Sequence, residues 1–287
     1  MKKYTGEEIR ELFAYADSEG FAVPMFNYSD LWDLKAIVAA AEELRAPVMV
    51  GVDPPVFEDI GYEMCAAMVD VATKEASVPI IHHLDHSSCV KQCKEAIDLG
   101  VFSVMMDASH KPIDENIADV RAVTDYAREK GAYVEAEIGR IRGESSYETS
   151  YTGDDYLFIL DEAVKLVREA KPDALAIGIG NAHGFYVGKP ELNFDKLKEA
   201  NDALDVFLVL HGGTGIPRED IRRAIKGGIN KVNVGTAVYT AYMNGVRDKL
   251  MADGENQFTL EVMPVGVERC KQAVMEWIKT CMADGKA

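Results

Sequence analysis

The 287-residue chain is poor in positive charge, with 31 Lys and Arg against 48 Asp and Glu and a formal net charge of −17. This deficit argues against a nucleic-acid or anionic-membrane surface as partner. The sequence also lacks an apolar run of the roughly 18 residues that a membrane span needs, and its acidic beginning lacks the apolar stretch of a signal peptide. We therefore expect a cytoplasmic protein.

Cysteine is scarce and no linker interrupts the sequence. The five cysteines form no C-x-x-C pair, so we expect reduced thiols rather than a disulfide framework. No stretch rich in proline, glycine and serine divides the chain, and 48% of its residues are hydrophobic, which suffices for a large buried core. We expect one domain over residues 1–287.

The sequence does contain a repeated alternation of short β-branched runs and longer amphipathic segments. Start and stop signals bound helices at Asp30–Arg45, Asp114–Lys130 and Pro217–Lys226, and a terminal helix is expected over residues 264–283. The predicted strands are 23–27, 47–52, 78–82, 101–107, 132–138, 174–180, 206–211 and 231–235. Eight such units predict an α/β fold, the (β/α)8 or TIM barrel, over a doubly wound open sheet, which usually has about five to seven strands.

A TIM barrel builds its active site from the carboxyl ends of its strands, and the polar residues of this sequence gather there. Of the six histidines, five lie at the ends of predicted strands three, six and seven. Asn27, a candidate catalytic residue, ends strand one. The other polar residues at strand ends are His82, His83, Asp85, His86, Asp107, Ser109, Glu135, Glu137, Asn181, His183, His211 and Asn233.

Three of these histidines, His86, His183 and His211, come from separate strands. Three imidazoles around one ion, with a fourth position left for water or substrate, are the ligand set of a catalytic zinc. The alternative is that each ring is hydrogen-bonded in the barrel mouth without a metal. Imidazole ligands favour Zn²⁺, or Co²⁺ or Mn²⁺ in its place, over Mg²⁺ or Ca²⁺, which prefer oxygen ligands.

Two further histidines are consecutive, His82 and His83. Successive residues of a strand face opposite sides, so only one of them shares the side of Asp85. His83 alternates with Asp85, and we expect it to orient the site by hydrogen bonding. We expect neither ring to bind the metal directly.

Two glycine-rich segments follow the last two strands, HGGTGIPREDI at 211–221 and NVGT at 233–236. Backbone N–H groups in such loops bind phosphate with the help of a helix dipole, and the loops after strands seven and eight are the usual phosphate site of a TIM barrel. The alternative is that these glycines only form tight turns. Two such loops on neighbouring strands favour a phosphate site.

Together the motifs resemble those of the class II, metal-dependent ketose-bisphosphate aldolases, among them the fructose- and tagatose-bisphosphate aldolases. The resemblance spans nearly the whole chain. Its segments are VPMFNYSDL (23–31), HHLDH (82–86), SVMMDASHKP (103–112), VEAEIGR (134–140), AIGIGNAHG (176–184), LVLHGGTGI (208–216) and KVNVGT (231–236).

The resemblance implies a role for each matching position. It implies zinc ligands at His86, His183 and His211, with Glu137 as an alternative ligand, and it implies that Asp85 exchanges a proton with the aldehyde-derived oxygen. It implies that dihydroxyacetone phosphate is bound by Gly184, Gly212, Gly213, Thr214, Asn233, Val234, Gly235 and Thr236. The implied reaction is reversible cleavage of a ketose 1-phosphate or ketose 1,6-bisphosphate to dihydroxyacetone phosphate and an aldehyde.

This chemistry has physical requirements that these residue types meet. Cleavage of the C3–C4 bond leaves an enediolate, whose negative charge Zn²⁺ stabilises as a Lewis acid. Asp85 beside a dication is expected to be ionised. It can therefore take the proton of the C4 hydroxyl during cleavage and return it during condensation.

The sequence also departs from the family pattern. Ser145 stands where family members carry the glutamate that moves the proton of the enediolate carbon, so Glu144, in preference to Glu148, is the expected substitute. Val187 occupies the position of a lysine found in some members, and Gly235 replaces the aspartate of NVDT. These changes favour a ketose phosphate other than fructose 1,6-bisphosphate, whose distal end need not be a phosphate.

The longest irregular stretch, residues 139–156, is interpreted as an active-site loop. Its arginines, Arg140 and Arg142, are candidates for binding an anionic distal group. The alternative is a solvated insertion.

Two other functions remain open from the sequence. A non-catalytic sugar-phosphate-binding or regulatory homologue is consistent with Ser145. A zinc hydrolase is disfavoured because strand one lacks the H-x-H pair common in such barrels. The resemblance further implies a homodimer or homotetramer, and no nucleic-acid or membrane partner.

Overall fold

The computed structural model describes residues 3–139, 157–184, 190–254 and 257–287. Eight parallel strands close into a barrel in which each strand pairs with its sequence neighbours and the last pairs with the first. The strands are β1 Val23–Asn27, β2 Val48–Val52, β3 Ile80–Ser87, β4 Ser103–Met106, β5 Tyr133–Ile138, β6 Ala174–Ile177, β7 Phe207–Leu210 and β8 Ile229–Val234. The predicted (β/α)8 barrel is confirmed.

Helices cover the outside of the barrel and one of its ends. They are α1 Gly6–Glu19, α2 Leu31–Leu44, α3 Pro54–Ile60, α4 Tyr62–Ala72, α5 Val90–Asp98, α6 Ile113–Lys130, α7 Leu160–Ala170, α8 Phe194–Ala203, α9 Arg218–Lys226, α10 Thr236–Asp253 and α11 Thr259–Thr280. Within the described ranges, no helix combines the length and the apolar character that a membrane crossing requires.

The predicted helix boundaries follow from capping. Asp30 caps α2 by accepting hydrogen bonds from the backbone N–H groups of Trp32 and Asp33, which satisfies donors that have no partner within the helix. At the other end Arg45 adopts a left-handed conformation with φ of 50°. Gly131 ends α6 in the same conformation.

The amino-terminal helix α1 closes the barrel at the end opposite the strand carboxyl termini. Phe13 of α1 packs against Tyr133 and Phe207, the first residues of β5 and β7, with ring centroids 5.3 and 5.4 Å apart. Phe13 and Tyr133 are fully buried, and burial of such a side chain contributes about 1.5–3 kcal/mol. This end of the barrel is therefore packed around aromatic side chains, and the predicted site residues lie at the other end.

Two predicted elements differ most from the structure, while the other predicted strand ends shift by up to three residues. Strand β3 runs on through Ser87 instead of ending at residue 82, since His82, His83 and Leu84 continue the ladder with β2 and Ser87 resumes the ladder with β4 after a register shift. The terminal helix begins at Thr259 and not at Pro264. Proline removes one helical hydrogen bond, to the carbonyl of Leu260, and Leu260 is 77% exposed, so that water can satisfy its carbonyl.

Candidate active site at the carboxyl end of the barrel

The three predicted ligand histidines converge in the barrel mouth. His86 lies in β3, His183 lies beyond β6, and His211 directly follows β7. The ring centroid of His86 is 4.6 Å from that of His183 and 4.6 Å from that of His211. One ring nitrogen from each histidine lies within 4.8 Å of the others, close enough to share one ion.

An irregularity of β3 brings His86 to this cluster. Asp85 and His86 are consecutive, and a regular strand would turn them to opposite faces. The register of β3 against β4 shifts between Leu84 and Ser87, and His86 has a φ of 47°, which is rare for a residue other than glycine. This local turn lets both side chains face the mouth, and such strain is typical of functional sites.

The orientation of His211 is fixed from both sides. Its Nδ1 lies 2.9 Å from Nε2 of His86, and its Nε2 lies 2.8 Å from Oε1 of Glu135. Glu135 in turn forms a fully buried ion pair with Lys231, at 2.7 Å. Burial alone would raise the pKa of Glu135, but Lys231 and the hydrogen bond from His211 lower it to about 2. An ionised Glu135 accepts the Nε2 proton of His211, so that the Nδ1 lone pair faces Nε2 of His86 in the mouth.

Carboxylates flank the cluster on the side of His86. Asp107 Oδ2 lies 3.1 Å from His86 Nδ1, the backbone N–H of Ser109 donates to Asp107, and the Ser109 hydroxyl lies within hydrogen-bond distance of both Asp107 and Glu137. Burial would raise the pKa of Asp107, but hydrogen bonds from His86 and Ser109 lower it below its usual range. His86, Asp107 and Glu137 also form a second group whose ligand atoms lie within 4.8 Å of one another.

This donor set fits a transition metal. Imidazole nitrogens predominate and carboxylates lie beside them, which is the ligand chemistry of zinc rather than of magnesium or calcium. Partners such as Glu135 and Asp107 on the outer ring nitrogens are the usual companions of metal-binding histidines.

Asp85 lies next to the histidine cluster and is 2% exposed. Its carboxylate accepts hydrogen bonds from the amides of Asn27, at 3.0 Å, and Asn233, at 3.2 Å. Its Oδ1 is also 3.6 Å from Nε2 of His83. Burial opposes ionisation, but the charge of His86, the hydrogen bond from His83 and the charge of Lys231 hold the pKa of Asp85 well below its usual range. The group is an ionised base held in a fixed position.

The consecutive histidines His82 and His83 face opposite sides of β3. His82 Nε2 lies 3.0 Å from the hydroxyl of Tyr28, away from the mouth, and burial lowers the pKa of His82 to about 3. His83 is buried inside the barrel, 2.8 Å from Ser103 Oγ and 3.4 Å from Lys231 Nζ. Its ring therefore lies beneath Asp85.

The glycine-rich segments form the neighbouring wall of the mouth. Gly212 has a φ of 65°, and a Cβ atom there would lie 1.9 Å from the carbonyl oxygen of Ala182, so only glycine fits. The N–H of Gly213 donates to the carbonyl of Asn233 and is thereby already used. The hydroxyl of Thr214 accepts a hydrogen bond from the N–H of Ala237 at the start of α10. Gly184 also has a positive φ, of 76°.

The remaining predicted phosphate-binding residues lie at the junction of β8 and α10. Asn233 and Val234 end β8, and Gly235 precedes α10, which begins at Thr236. A Cβ atom at Gly235 would lie 2.9 Å from Oδ1 of Asn27. Glycine at this position therefore leaves room for the Asn27 side chain.

Three further residues, which the sequence motifs do not indicate, belong to this site: Asp53, Lys231 and Tyr239. Asp53 follows β2 directly and accepts a hydrogen bond from Asn27 at 3.1 Å, and Tyr239 donates to its other oxygen at 3.5 Å. Burial and the charge of Asp85 raise the pKa of Asp53 to about 7. The strand-end rule, applied to strand two, points to Asp53. Lys231 lies inside the fully buried strand β8, and a lysine at such a position indicates a buried ion pair.

Several predicted residues lie outside the described part of the chain. They are Arg140, Arg142, Glu144, Ser145 and Glu148 in the expected active-site loop, and Val187 and Lys189 after the His183 segment. Of the loop predicted at 139–156, only Gly139 is described.

Comparison with known proteins agrees with this arrangement. The model of the family described as fructose-bisphosphate aldolase class-II matches residues 7–286. The chain belongs to the class II fructose-bisphosphate aldolase family. The predicted family membership is thus confirmed.

Relatives and solved structures of class II aldolases match over nearly their full lengths. A 6-phospho-5-dehydro-2-deoxy-D-gluconate aldolase of Halalkalibacterium halodurans is 38% identical over 279 residues, covering 96% of this chain and 94% of the relative. A fructose-bisphosphate aldolase of Staphylococcus aureus is 38% identical over 275 residues, covering 94% and 95%. The crystal structure of the YdjI aldolase from Escherichia coli has a TM-score of 0.85 and 30% identity, covering 97% of this chain and 98% of that one.

Membership in the class II aldolases makes the protein an aldehyde-lyase, an enzyme that breaks a carbon–carbon bond. This favours the catalytic interpretation of the sequence over a binding or regulatory homologue. Class II aldolases are generally metal-dependent, and the chain carries groups of residues that can hold a metal.

Proposed function

We propose that this class II aldolase is zinc-dependent and reversibly cleaves a ketose 1-phosphate or ketose 1,6-bisphosphate to dihydroxyacetone phosphate and an aldehyde. The observation that carries the proposal is the convergence of three imidazoles beside one buried carboxylate, Asp85, at the carboxyl end of the barrel.

His86, His183 and His211 would hold the zinc, with Glu137 as an alternative ligand. The support is the nitrogen-rich donor set and the carboxylates on the outer ring nitrogens of His86 and His211. When bound, zinc supplies a Lewis acid for the negative charge that develops on the ketose half as the bond breaks.

Asp85 acts as the base in the cleavage direction. It accepts the proton of the C4 hydroxyl while the C3–C4 bond breaks, so that C4 becomes the aldehyde carbon and the bonding electron pair remains on C3. The amides of Asn27 and Asn233 orient the carboxylate by hydrogen bonds to its oxygens. In condensation Asp85 returns the proton to the new C4 oxygen.

The phosphate of the ketose is bound at the wall formed by Gly184, the segment 212–214 and the segment 233–236. Support comes from the start of α10, where the N–H of Ala237 bonds Thr214 and that of Val238 bonds the carbonyl of Gly235, while the N–H of Thr236, at the first position, has no partner within the helix. The positive end of the helix dipole favours an anion there.

The proton at C3 of the ketose half is delivered by Glu144. This assignment follows from the sequence, because Ser145 stands where the family pattern has a glutamate and a serine is not an ionisable base near neutral pH. Glu148 is the alternative from the same segment.

An assay of a ketose panel tests the proposal. Phosphorylated, sulfonated and deoxy ketoses are incubated with the enzyme, and release of triose phosphate is measured before and after treatment with a chelator. We expect release from at least one 1-phosphorylated ketose, its loss with chelator, and its return with Zn²⁺ or Co²⁺. Chelator-resistant cleavage with trapping by borohydride would indicate a lysine Schiff base and would refute the zinc mechanism.

The working unit is a homodimer or a homotetramer. Support comes from apolar side chains that the single chain leaves exposed near the junction of α10 and α11, including Met251 at 79%, Phe258 at 74% and Leu260 at 77%. Light scattering of the purified protein tests this, and a monomeric mass would contradict it.

A further inference from the structure

We propose that Asp53 is a specificity-determining residue that binds a hydroxyl group on the aldehyde half of the substrate and disfavours a phosphate there. The inference rests on the proposed function, because it takes Asp85 as the group that faces the C4 oxygen. The substrate class that follows is a 1-phosphorylated ketose whose other end is uncharged and hydroxylated.

The first observation is that the Asp53 side chain is not used by its own helix. Asp53 occupies the N-cap position of α3, where an aspartate ordinarily accepts a hydrogen bond from the second or third residue of the helix. Its side chain makes no capping bond. The residues that follow are Pro54 and Pro55, which have no N–H to donate. The carboxyl group turns toward the barrel mouth instead.

The second observation is the link between Asp53 and Asp85. A single nitrogen, Nδ2 of Asn27, donates to Oδ1 of Asp53 at 3.1 Å and to Oδ2 of Asp85 at 3.0 Å. The two carboxyl groups therefore border the same space at the ends of β2 and β3. A substrate whose C4 oxygen meets Asp85 brings its next carbon atoms toward Asp53.

The third observation is the charge around Asp53. In the described part of the chain, the hydrogen-bond partners of Asp53 are the amide of Asn27 and the phenol of Tyr239. Asp53 forms no ion pair with a described residue. Burial and the charge of Asp85 raise the pKa of Asp53, although the charge of His86 acts in the opposite direction. A phosphate in this space would face two acidic groups, whereas phosphate sites use arginine, lysine or backbone N–H donors.

A hydroxyl group fits the same space. It can donate to a lone pair of the Asp53 carboxylate that Asn27 and Tyr239 leave unused, because each carboxylate oxygen can accept two hydrogen bonds. A hydrogen bond to a carboxylate changes the preference for a substrate by about 10–100-fold. A site built to bind a hydroxyl therefore discriminates against an aldehyde that lacks it.

The test measures condensation of dihydroxyacetone phosphate with three aldehydes: glyceraldehyde, propanal and glyceraldehyde 3-phosphate. The variants are Asp53→Ala and Asp53→Ser, and Asp59→Asn is the matched control because Asp59 is an exposed acid on the same helix α3. Circular dichroism and thermal unfolding verify that each variant folds. The readout is the ratio of kcat/KM values between aldehydes, which loss of structure alone would not reorder.

We expect the wild-type enzyme to prefer glyceraldehyde to propanal by about 10–100-fold and to use glyceraldehyde 3-phosphate less well than glyceraldehyde. Asp53→Ala should abolish the first preference, and Asp53→Ser should raise the relative use of glyceraldehyde 3-phosphate at least tenfold. Asp59→Asn should keep the wild-type ratios.

Two results overturn the inference while the proposed function stands. One is a fall in activity of the Asp53 variants by the same factor for all three aldehydes, which would mean that Asp53 only supports Asn27. The other is a wild-type preference for the phosphorylated aldehyde. If the wild-type enzyme neither exchanges the hydroxymethyl proton of dihydroxyacetone phosphate nor condenses it with any aldehyde, the proposed function itself fails.

Discussion

The ring of His211 is hydrogen-bonded through Nε2 to the carboxylate of Glu135, at 2.8 Å. This contact fixes the tautomer in which Nε2 carries the proton and Nδ1 offers its lone pair toward His86. Lys231 holds the same carboxylate from the other side at 2.7 Å. The barrel interior below the mouth is therefore a polar support for the His211 ring, and not only a packed core.

Substitution Glu135→Gln should weaken zinc binding by about 10–100-fold, the usual effect of losing the partner of a metal-binding histidine. The glutamine carries no charge to pair with Lys231 and no longer fixes the His211 tautomer. Competition with a chromogenic zinc chelator measures the affinity. Glu129→Gln, at an exposed position on α6, is the control, and equal affinities in the two variants would contradict a role for Glu135.

Substitution Asp85→Asn should leave zinc content unchanged and lower turnover by about 10²–10⁴-fold, the range that a general base contributes. The asparagine has nearly the same shape, but it cannot accept the hydroxyl proton. Zinc content is measured by elemental analysis and turnover by triose phosphate release. Full turnover in a zinc-loaded variant would rule out Asp85 as the base.

Substitution Gly212→Ala should weaken dihydroxyacetone phosphate binding and destabilise the protein by more than a positive φ alone explains. The added Cβ would lie 1.9 Å from the carbonyl oxygen of Ala182, so the loop must move. Gly20→Ala is the matched control, because Gly20 has a φ of 69° and open space around it. That control should cost only about 1–2 kcal/mol.

Urea unfolding gives the free energies of unfolding of both glycine variants, and isothermal titration gives the affinity for dihydroxyacetone phosphate. If Gly212→Ala is no less stable than Gly20→Ala and binds the ligand as tightly as the wild type does, the loop tolerates a side chain. In that case the phosphate wall does not depend on Gly212.

Much of the fold and the main cluster could be predicted because local rules determine them. The eight strand patterns and the caps at Asp30 and Gly131 depend on neighbouring residues only. Since parallel strands end at one edge of the barrel, His86, His183 and His211 could be grouped from their positions after strand runs. Their distances to one another and the support from Glu135 required the structure.

The missed features depend on contacts that a local pattern does not contain. Lys231 and Glu135 are 96 residues apart in sequence. The residues around each of them do not indicate that the two side chains pair. In the sequence, an aspartate before two prolines is typical of an ordinary helix start. Only the structure shows that the Asp53 side chain lies against Asn27. The left-handed turn at His86 is equally hidden, because alternation along a strand predicts opposite faces for Asp85 and His86.

The most direct test of the central claim is zinc stoichiometry, measured by elemental analysis after dialysis against Zn²⁺, for the wild type and for His86→Ala, His183→Ala and His211→Ala. Triose phosphate release is measured on the same samples. We predict one equivalent of zinc per chain in the active wild type, with both zinc and activity lost in each variant that remains folded. A wild type that takes up no transition metal, or folded variants that keep a full equivalent, would contradict the shared-ion site.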